Sequence, residues 1–185
     1  MRARGHRNRG IGDMRPEDNL REDHGRIMKL FAAWQKILGK LEQPKQSRQE
    51  AFAEGIDLVE TFIDKCHHGK EDEILFPAME SSKRPEVTSL IEDLRSEHKT
   101  GRSMLEAIKL EFITFSQPNG SAAKLIQLCE SYIDLLRKHV RRENAKLLPI
   151  LEKCIPADAQ EKIAALFIQY ERKTIGSKNN LGLID

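Results

Sequence analysis

The chain has no Cys-x-x-Cys pair, no long apolar run and almost no net charge, and each absence closes off a class of protein. Its three cysteines, Cys66, Cys129 and Cys154, are odd in number and far apart. That pattern disfavours both a disulfide framework and a thiolate zinc site, and it suits a reducing compartment. No stretch approaches the roughly 18 apolar residues of a membrane span, and no apolar signal-type segment lies near the N-terminus. A soluble, cytoplasmic protein is expected. The net charge of +2 gives the whole chain little pull on polyanions, so neither nucleic acid nor a membrane is expected as a partner. Positive charge is concentrated only where Arg2, Arg4, Arg7 and Arg9 crowd the start. Residues 1–16 read as a disordered basic segment, within which Met14 is a second candidate initiator.

What is present is charge and helical periodicity. Charged residues make up 32% of the 185 positions and hydrophobic residues 39%, a profile that fits one charge-rich helical domain rather than a disordered chain. Apolar residues recur at three- and four-residue steps. The first series is Leu20, Ile27, Phe31, Trp34, Leu38 and Leu41, closed by Pro44. The second is Phe52, Ile56, Val59, Ile63, Ile74 and Ala78, opened by the capping-box pattern Ser47-Arg-Gln-Glu50. The third begins after Pro85, a residue suited to a first helical turn, and carries Val87, Ile91, Leu94, Leu105, Ile108 and Phe112. Beyond Gln117-Pro-Asn-Gly120 the fourth carries Leu125, Leu128, Tyr132, Leu135, Leu136, Leu147 and Ile150. A shorter fifth starts near Asp158 with Ile163, Leu166, Phe167 and Tyr170. No strand pattern competes. The expected fold is all-α: an up-down-up-down antiparallel four-helix bundle with an additional shorter C-terminal helix. The bundle with that helix is assigned to residues 17–174, and residues 175–185 to a flexible tail.

One segment is written twice. His67-His-Gly-Lys-Glu71-Asp-Glu-Ile-Leu-Phe-Pro77 returns as His139-Val-Arg-Arg-Glu143-Asn-Ala-Lys-Leu-Leu-Pro149. In each copy a Glu follows the His by four residues, then come an apolar pair and a Pro. Each copy also has an upstream His behind an acid, in Arg21-Glu-Asp-His24 and Arg95-Ser-Glu-His98. Extending the apolar stripes at α-helical spacing puts His24, His67, Glu71, His98, His139 and Glu143 on the inner faces of four helices. The same extension puts His68 on the wet face with Asp64, Thr61 and Asp57. His68 and His6 are therefore expected to be exposed and without a role.

A lone inward His is usually a satisfied core residue, but two unpaired carboxylates are too costly to bury on that account. Each unpaired buried polar group costs roughly 2–7 kcal/mol, against a net stability of about 5–15 kcal/mol. Two cations remove that cost at once. Imidazole with carboxylate and no thiolate suits iron or manganese, and zinc less distinctively.

These residues resemble the hemerythrin-like (HHE) cation-binding family over about residues 17–150, on the doubled His-x3-Glu…Leu/Phe-Pro motif with upstream His24 and His98. Ferritin-like bundles instead carry Glu-x-x-His. The resemblance implies a non-heme centre of two iron ions with a bridging oxo or hydroxo group, held by His24, His67, Glu71, His98, His139 and Glu143. Oxygen-carrying members place a fifth His one turn after the third-helix His, where this chain has Arg102, and reach the last carboxylate by a five-residue step. The four-His, two-Glu set implies reaction with or binding of O2, peroxide or nitric oxide, in oxidative or nitrosative stress or in iron handling. The alternative is a non-catalytic oxygen or iron sensor or storage module acting through a partner. Turnover, the electron donor and any signalling partner are left open, and no residue is assigned a catalytic role. Small Gly101 beside Arg102 is expected to leave room at the centre. Tyr132 and Cys66 are read as core fillers, the latter half-buried, and Arg102 as solvated at the bundle edge.

Overall fold

A computed structural model describes residues 15–41, 46–117 and 120–176. The readings for residues 1–14, the Ser47 cap and the tail beyond Gly176 lie outside the described residues or side chains. Everything regular among the described residues is helical, and none of it is strand. Five helices result: α1 (Pro16–Leu38), α2 (residues 46–80), α3 (Pro85–Phe115), α4 (residues 122–154) and α5 (Ala157–Ile175). None is long and apolar enough to cross a membrane.

Local chemistry sets the ends. Pro16 and Pro85 open α1 and α3 from extended preceding residues, where a missing N–H costs nothing. Ser121 caps α4 by accepting from the Ala123 N–H at 3.3 Å. The helix α3 packs most extensively on α4, while α1 touches α2, α4 and α5.

Two apolar clusters form the core. One gathers Ile27, Phe31, Trp34, Phe52, Ile63, Leu105, Tyr132 and Leu136; the other gathers Leu20, Leu75, Phe76, Leu94, Leu147, Leu148 and Phe167. Along each of α1 to α4 the chain passes from one cluster to the other. The polar residues His24, His67, Glu71, His98, His139 and Glu143 occupy the crossing point every time and are all buried. Tyr132 and Cys66 are core residues, and Cys66 is fully rather than half buried.

The helices α2 and α4 are not α-helical throughout. Val59–His68 and Glu71–Leu75 in α2, and Glu143–Leu147 in α4, wind as π-helix. The Phe76 N–H bonds the Glu71 carbonyl, and the Leu148 N–H bonds the Glu143 carbonyl, each five residues back. Pro77 and Pro149 follow directly. A proline has no N–H to give and clashes with the carbonyl four residues earlier, so a widened turn just before it relieves both problems.

The wide turns correct the expected phase. Beyond Glu71 the buried positions are Leu75, Phe76 and Met79, not Ile74 and Ala78; beyond Glu143 they are Leu147, Leu148 and Leu151, not Ile150. The α2 stripe slips by one residue; in α4 Leu147 is inside as expected and the slip falls at Leu151. In α2 the whole run Cys66, His67, His68, Gly69, Lys70 and Glu71 is buried. His68 is 2% exposed, contrary to the expectation that it faces water.

Candidate metal centre

All six expected residues converge where the two apolar clusters meet. One atom each from His24, His67, Glu71 and Glu143 lies within 4.8 Å of the others, and the same holds for Glu71, His98, His139 and Glu143. Both carboxylates belong to both quartets, the arrangement that lets two cations share them. A third group, His68, His98 and His139, brings in the residue that α-helical spacing had excluded. The His68 ring stacks on His98 at 4.0 Å between centroids and meets His139 edge-on at 5.3 Å.

The donor atoms are orphaned. His24 Nε2, His67 Nε2, both ring nitrogens of His68 and all four carboxylate oxygens of Glu71 and Glu143 are buried without a hydrogen-bond partner. The ring nitrogens His98 Nε2 and His139 Nε2 face each other at 3.2 Å. Each ring's far nitrogen already sits on a carboxylate: His98 Nδ1 on Asp72 at 3.0 Å and His139 Nδ1 on Glu97 at 2.8 Å. With Nδ1–H donating outward in both rings, a proton on one Nε2 lets that ring donate to the other, and a cation between them can take that proton's place. The residues present fit a pair of metal ions.

The supports around the centre repeat like the ligands. Asp23, just before His24, accepts from His67 Nδ1 at 3.3 Å, and Glu97, just before His98, serves His139. Asp72, just after Glu71, serves His98; Asn144, just after Glu143, accepts from His24 Nδ1 at 3.0 Å. Outer partners of this kind fix ring orientation and tautomer. Cations stand behind the acids: Lys70 on Asp23, Arg102 on Asp72 and Arg142 on Glu97. Asp23 and Glu97, the acids of the upstream motifs, lie off their own helices' inner stripes. Each reaches a His on the next helix. His68 is the exception, with Asp64 no closer than 3.7 Å to Nδ1. Its counterpart in the second copy is Val140, so the extra imidazole breaks the symmetry.

Arg102 is 43% exposed in its side chain but not merely solvated: it donates to Asp64 at 2.6 Å and Asp72 at 2.8 Å. A Cβ at Gly101 would fit at ordinary contact distance, 3.7 Å from Leu136 and 3.9 Å from Tyr132.

The buried acids draw protons onto the rings. Burial alone would lower the His139 pKa, but Glu143 and Glu97 raise it to about 10. His24 and His98 are also raised, against burial, by Glu143 and by Asp72 with Glu71 respectively. Burial would raise Glu143, yet His139, His24 and His67 hold it well below the usual carboxylate range. His68 goes the other way: burial and the neighbouring imidazoles push it well below its ordinary value. The centre thus assembles positive charge around two acids and keeps one ring neutral.

This buried, twice-repeated imidazole–carboxylate cluster defines a cation-binding helical protein. The hemerythrin HHE cation binding domain model matches residues 15–151, and the chain belongs to that family. The chain is 26% identical to uncharacterized proteins of Mycobacterium tuberculosis and Mycobacterium bovis, over 92% of its own length and 66% of theirs. It thus spans just under two thirds of these curated relatives. It is 30% identical to the zinc finger protein BRUTUS-like of Arabidopsis thaliana, over 58% of this chain and 9% of that protein. No solved structure matches the chain significantly.

Proposed function

We propose that the protein is a non-heme di-iron protein that binds or reacts with O2, peroxide or nitric oxide, in stress defence or iron handling. The reading rests on the donor atoms themselves: eight buried nitrogen and oxygen atoms of five ligand-type side chains crowd one space without a hydrogen bond, their near contacts being within the cluster itself, as in His24 Nε2 and His139 Nε2, each 3.0 Å from Glu143. His24, His67, Glu71, His98, His139 and Glu143 would hold two iron ions and a bridging oxo or hydroxo group, and His68 would be available as a further imidazole beside His98 and His139. The bundle is up-down-up-down, a topology supported by the order in which α1 to α4 pass between the two apolar clusters.

Bound iron supplies redox equivalents and a position for a small ligand. The chain's own residues do the rest. Glu71 and Glu143 would balance the charge of both ions. Asp23, Asp72, Glu97 and Asn144 keep Nδ1–H outward on the four paired rings, so that each Nε2 is left free to ligate. Leu75, Phe76, Leu94 and Leu136 close the hydrocarbon above and below and exclude water. His68, grouped with His98 and His139, would offer that side an additional nitrogen. The test is iron content followed by stopped-flow mixing of the reduced protein with oxygen, peroxide and nitric oxide. Multiple turnovers establish an enzyme. A stable reversible adduct establishes a sensor or carrier, a use consistent with a related segment occupying only 9% of a much larger plant protein.

A further inference from the structure

The internal repeat pairs Lys70 with Arg142, each three residues after the helix's ligand-type His and one before its Glu. Both stand behind the acid that supports that His: Lys70 binds Asp23 at 2.6 Å and Arg142 binds Glu97 at 3.2 Å. Their surroundings differ. The Arg142 side chain is 37% exposed, whereas Lys70 is 0% exposed. The difference is made by α5, which packs on α2 and α1. From it Glu171 accepts from Lys70 at 2.6 Å, and the Phe167 ring lies 5.3 Å from Nζ. Asn19 takes the third N–H at 2.6 Å and donates to Glu171 at 2.9 Å. All three ammonium donors are thereby satisfied, with Glu171, 27% exposed, at the outer edge of the network. Nearby, Tyr170 donates to Glu73 at 2.7 Å, and its ring rests on Gly69, where a Cβ would meet Cε1 at 2.9 Å.

We infer that α5 is a working part of one half of the metal centre: through Glu171 it holds Lys70 on Asp23, and so fixes His67 with Nε2 toward the metal. Lys70 and Asp23 are positioning residues, since they act through His67. The matching support at His139 stands on a solvent-exposed cation and carries no such dependence. An acid deprived of Lys70 is left buried beside His67 alone, and its hold on the ring loosens. Loss of an outer partner of this type weakens metal binding about 10–100-fold. The inference rests on the di-iron reading above, but it concerns which of two positions the C-terminal helix controls.

The experiment is calorimetric titration of the metal-free full chain with zinc(II), as a diamagnetic probe, in the wild type and three variants. Apo folding is verified by circular dichroism. The wild type takes up two ions. Lys70→Met weakens one of the two steps at least tenfold and leaves the other within about threefold. Gly69→Ala does the same without changing any charge, because its methyl displaces Tyr170 and lifts α5. Arg142→Met changes neither step by more than about threefold. In the zinc-loaded protein the His67 Nδ1–H resonance exchanges faster with water in Lys70→Met, a readout that general destabilisation confined to α5 does not move. The inference fails if either folded variant keeps both affinities, or loses both equally. Should Lys70→Met not fold, Gly69→Ala decides alone. A wild type that binds no metal overturns the di-iron reading itself, and this inference with it.

Discussion

Replacing His68 by leucine separates the two jobs a buried histidine can have. The ring is 2% exposed, and neither nitrogen has a hydrogen-bond partner. Each unsatisfied buried group costs about 1–3 kcal/mol. Leucine has a similar volume, so the packing loss stays below about 1.5 kcal/mol. The lost stacking on His98, at 4.0 Å, adds about 0.5–1.5 kcal/mol. The metal-free variant is therefore expected to be more stable than the wild type, by about 1–3 kcal/mol. With metal present the order reverses, because ligand binding to the native state adds stability in proportion to the logarithm of saturation. The assay is urea denaturation with chelator and again with iron(II) under anaerobic conditions, alongside metal stoichiometry. A His68→Leu variant that keeps two irons at wild-type affinity refutes the ligand assignment. One that is less stable without metal refutes the argument from orphaned nitrogens.

Three further outcomes are expected. His67→Ala and His139→Ala each lose metal and folding stability together, measurable as iron content and melting temperature of the same preparation, because binding and folding are linked. Metal-free protein loses stability as pH rises from about 6.5 toward about 10: the raised His139 pKa contributes fully below the unfolded value and is lost as pH climbs through the folded one, at up to about 1.4 kcal/mol per pH unit for that proton. Denaturation midpoints across that range test the sign, and zinc affinity moves oppositely as protons leave the rings. Gly55→Ala places a Cβ 2.8 Å from Trp34 Nε1, tilts the indole off Phe52 and destabilises the fold by about 1–3 kcal/mol, visible in the fluorescence of the single Trp.

The helices and the six convergent residues were legible because both are written in local spacing. Leu20, Ile27 and Phe31 bracket His24 at helical steps, and Leu94 with Leu105 brackets His98, so the stripe itself carries the ligand-type residues inward. His68 was not legible. Its burial follows from π-helical turns, and α-helical spacing carried through them misplaces later residues by one, as at Leu75 and Leu151. The prolines at 77 and 149 held the local signal: a residue without an N–H, at a fixed distance beyond the Glu in both copies, marks a helix that changes winding. The supporting acids were hidden for a different reason. Asp23 and Glu97 lie beside their own stripes and act across helices, a relation that one helix's periodicity does not encode. Nothing in the spacing marks Lys70 as interior; the seat of Phe167 and Glu171 over it makes it so.

The most direct test of the central claim is the metal content of the protein purified from iron-fed cells, read with its near-ultraviolet spectrum. Two irons per chain, with the bands of an oxo-bridged diferric pair that vanish in the His67→Ala and His139→Ala variants, are what a buried dinuclear centre requires. A well-folded protein without iron, or one whose iron survives loss of both histidines, contradicts it.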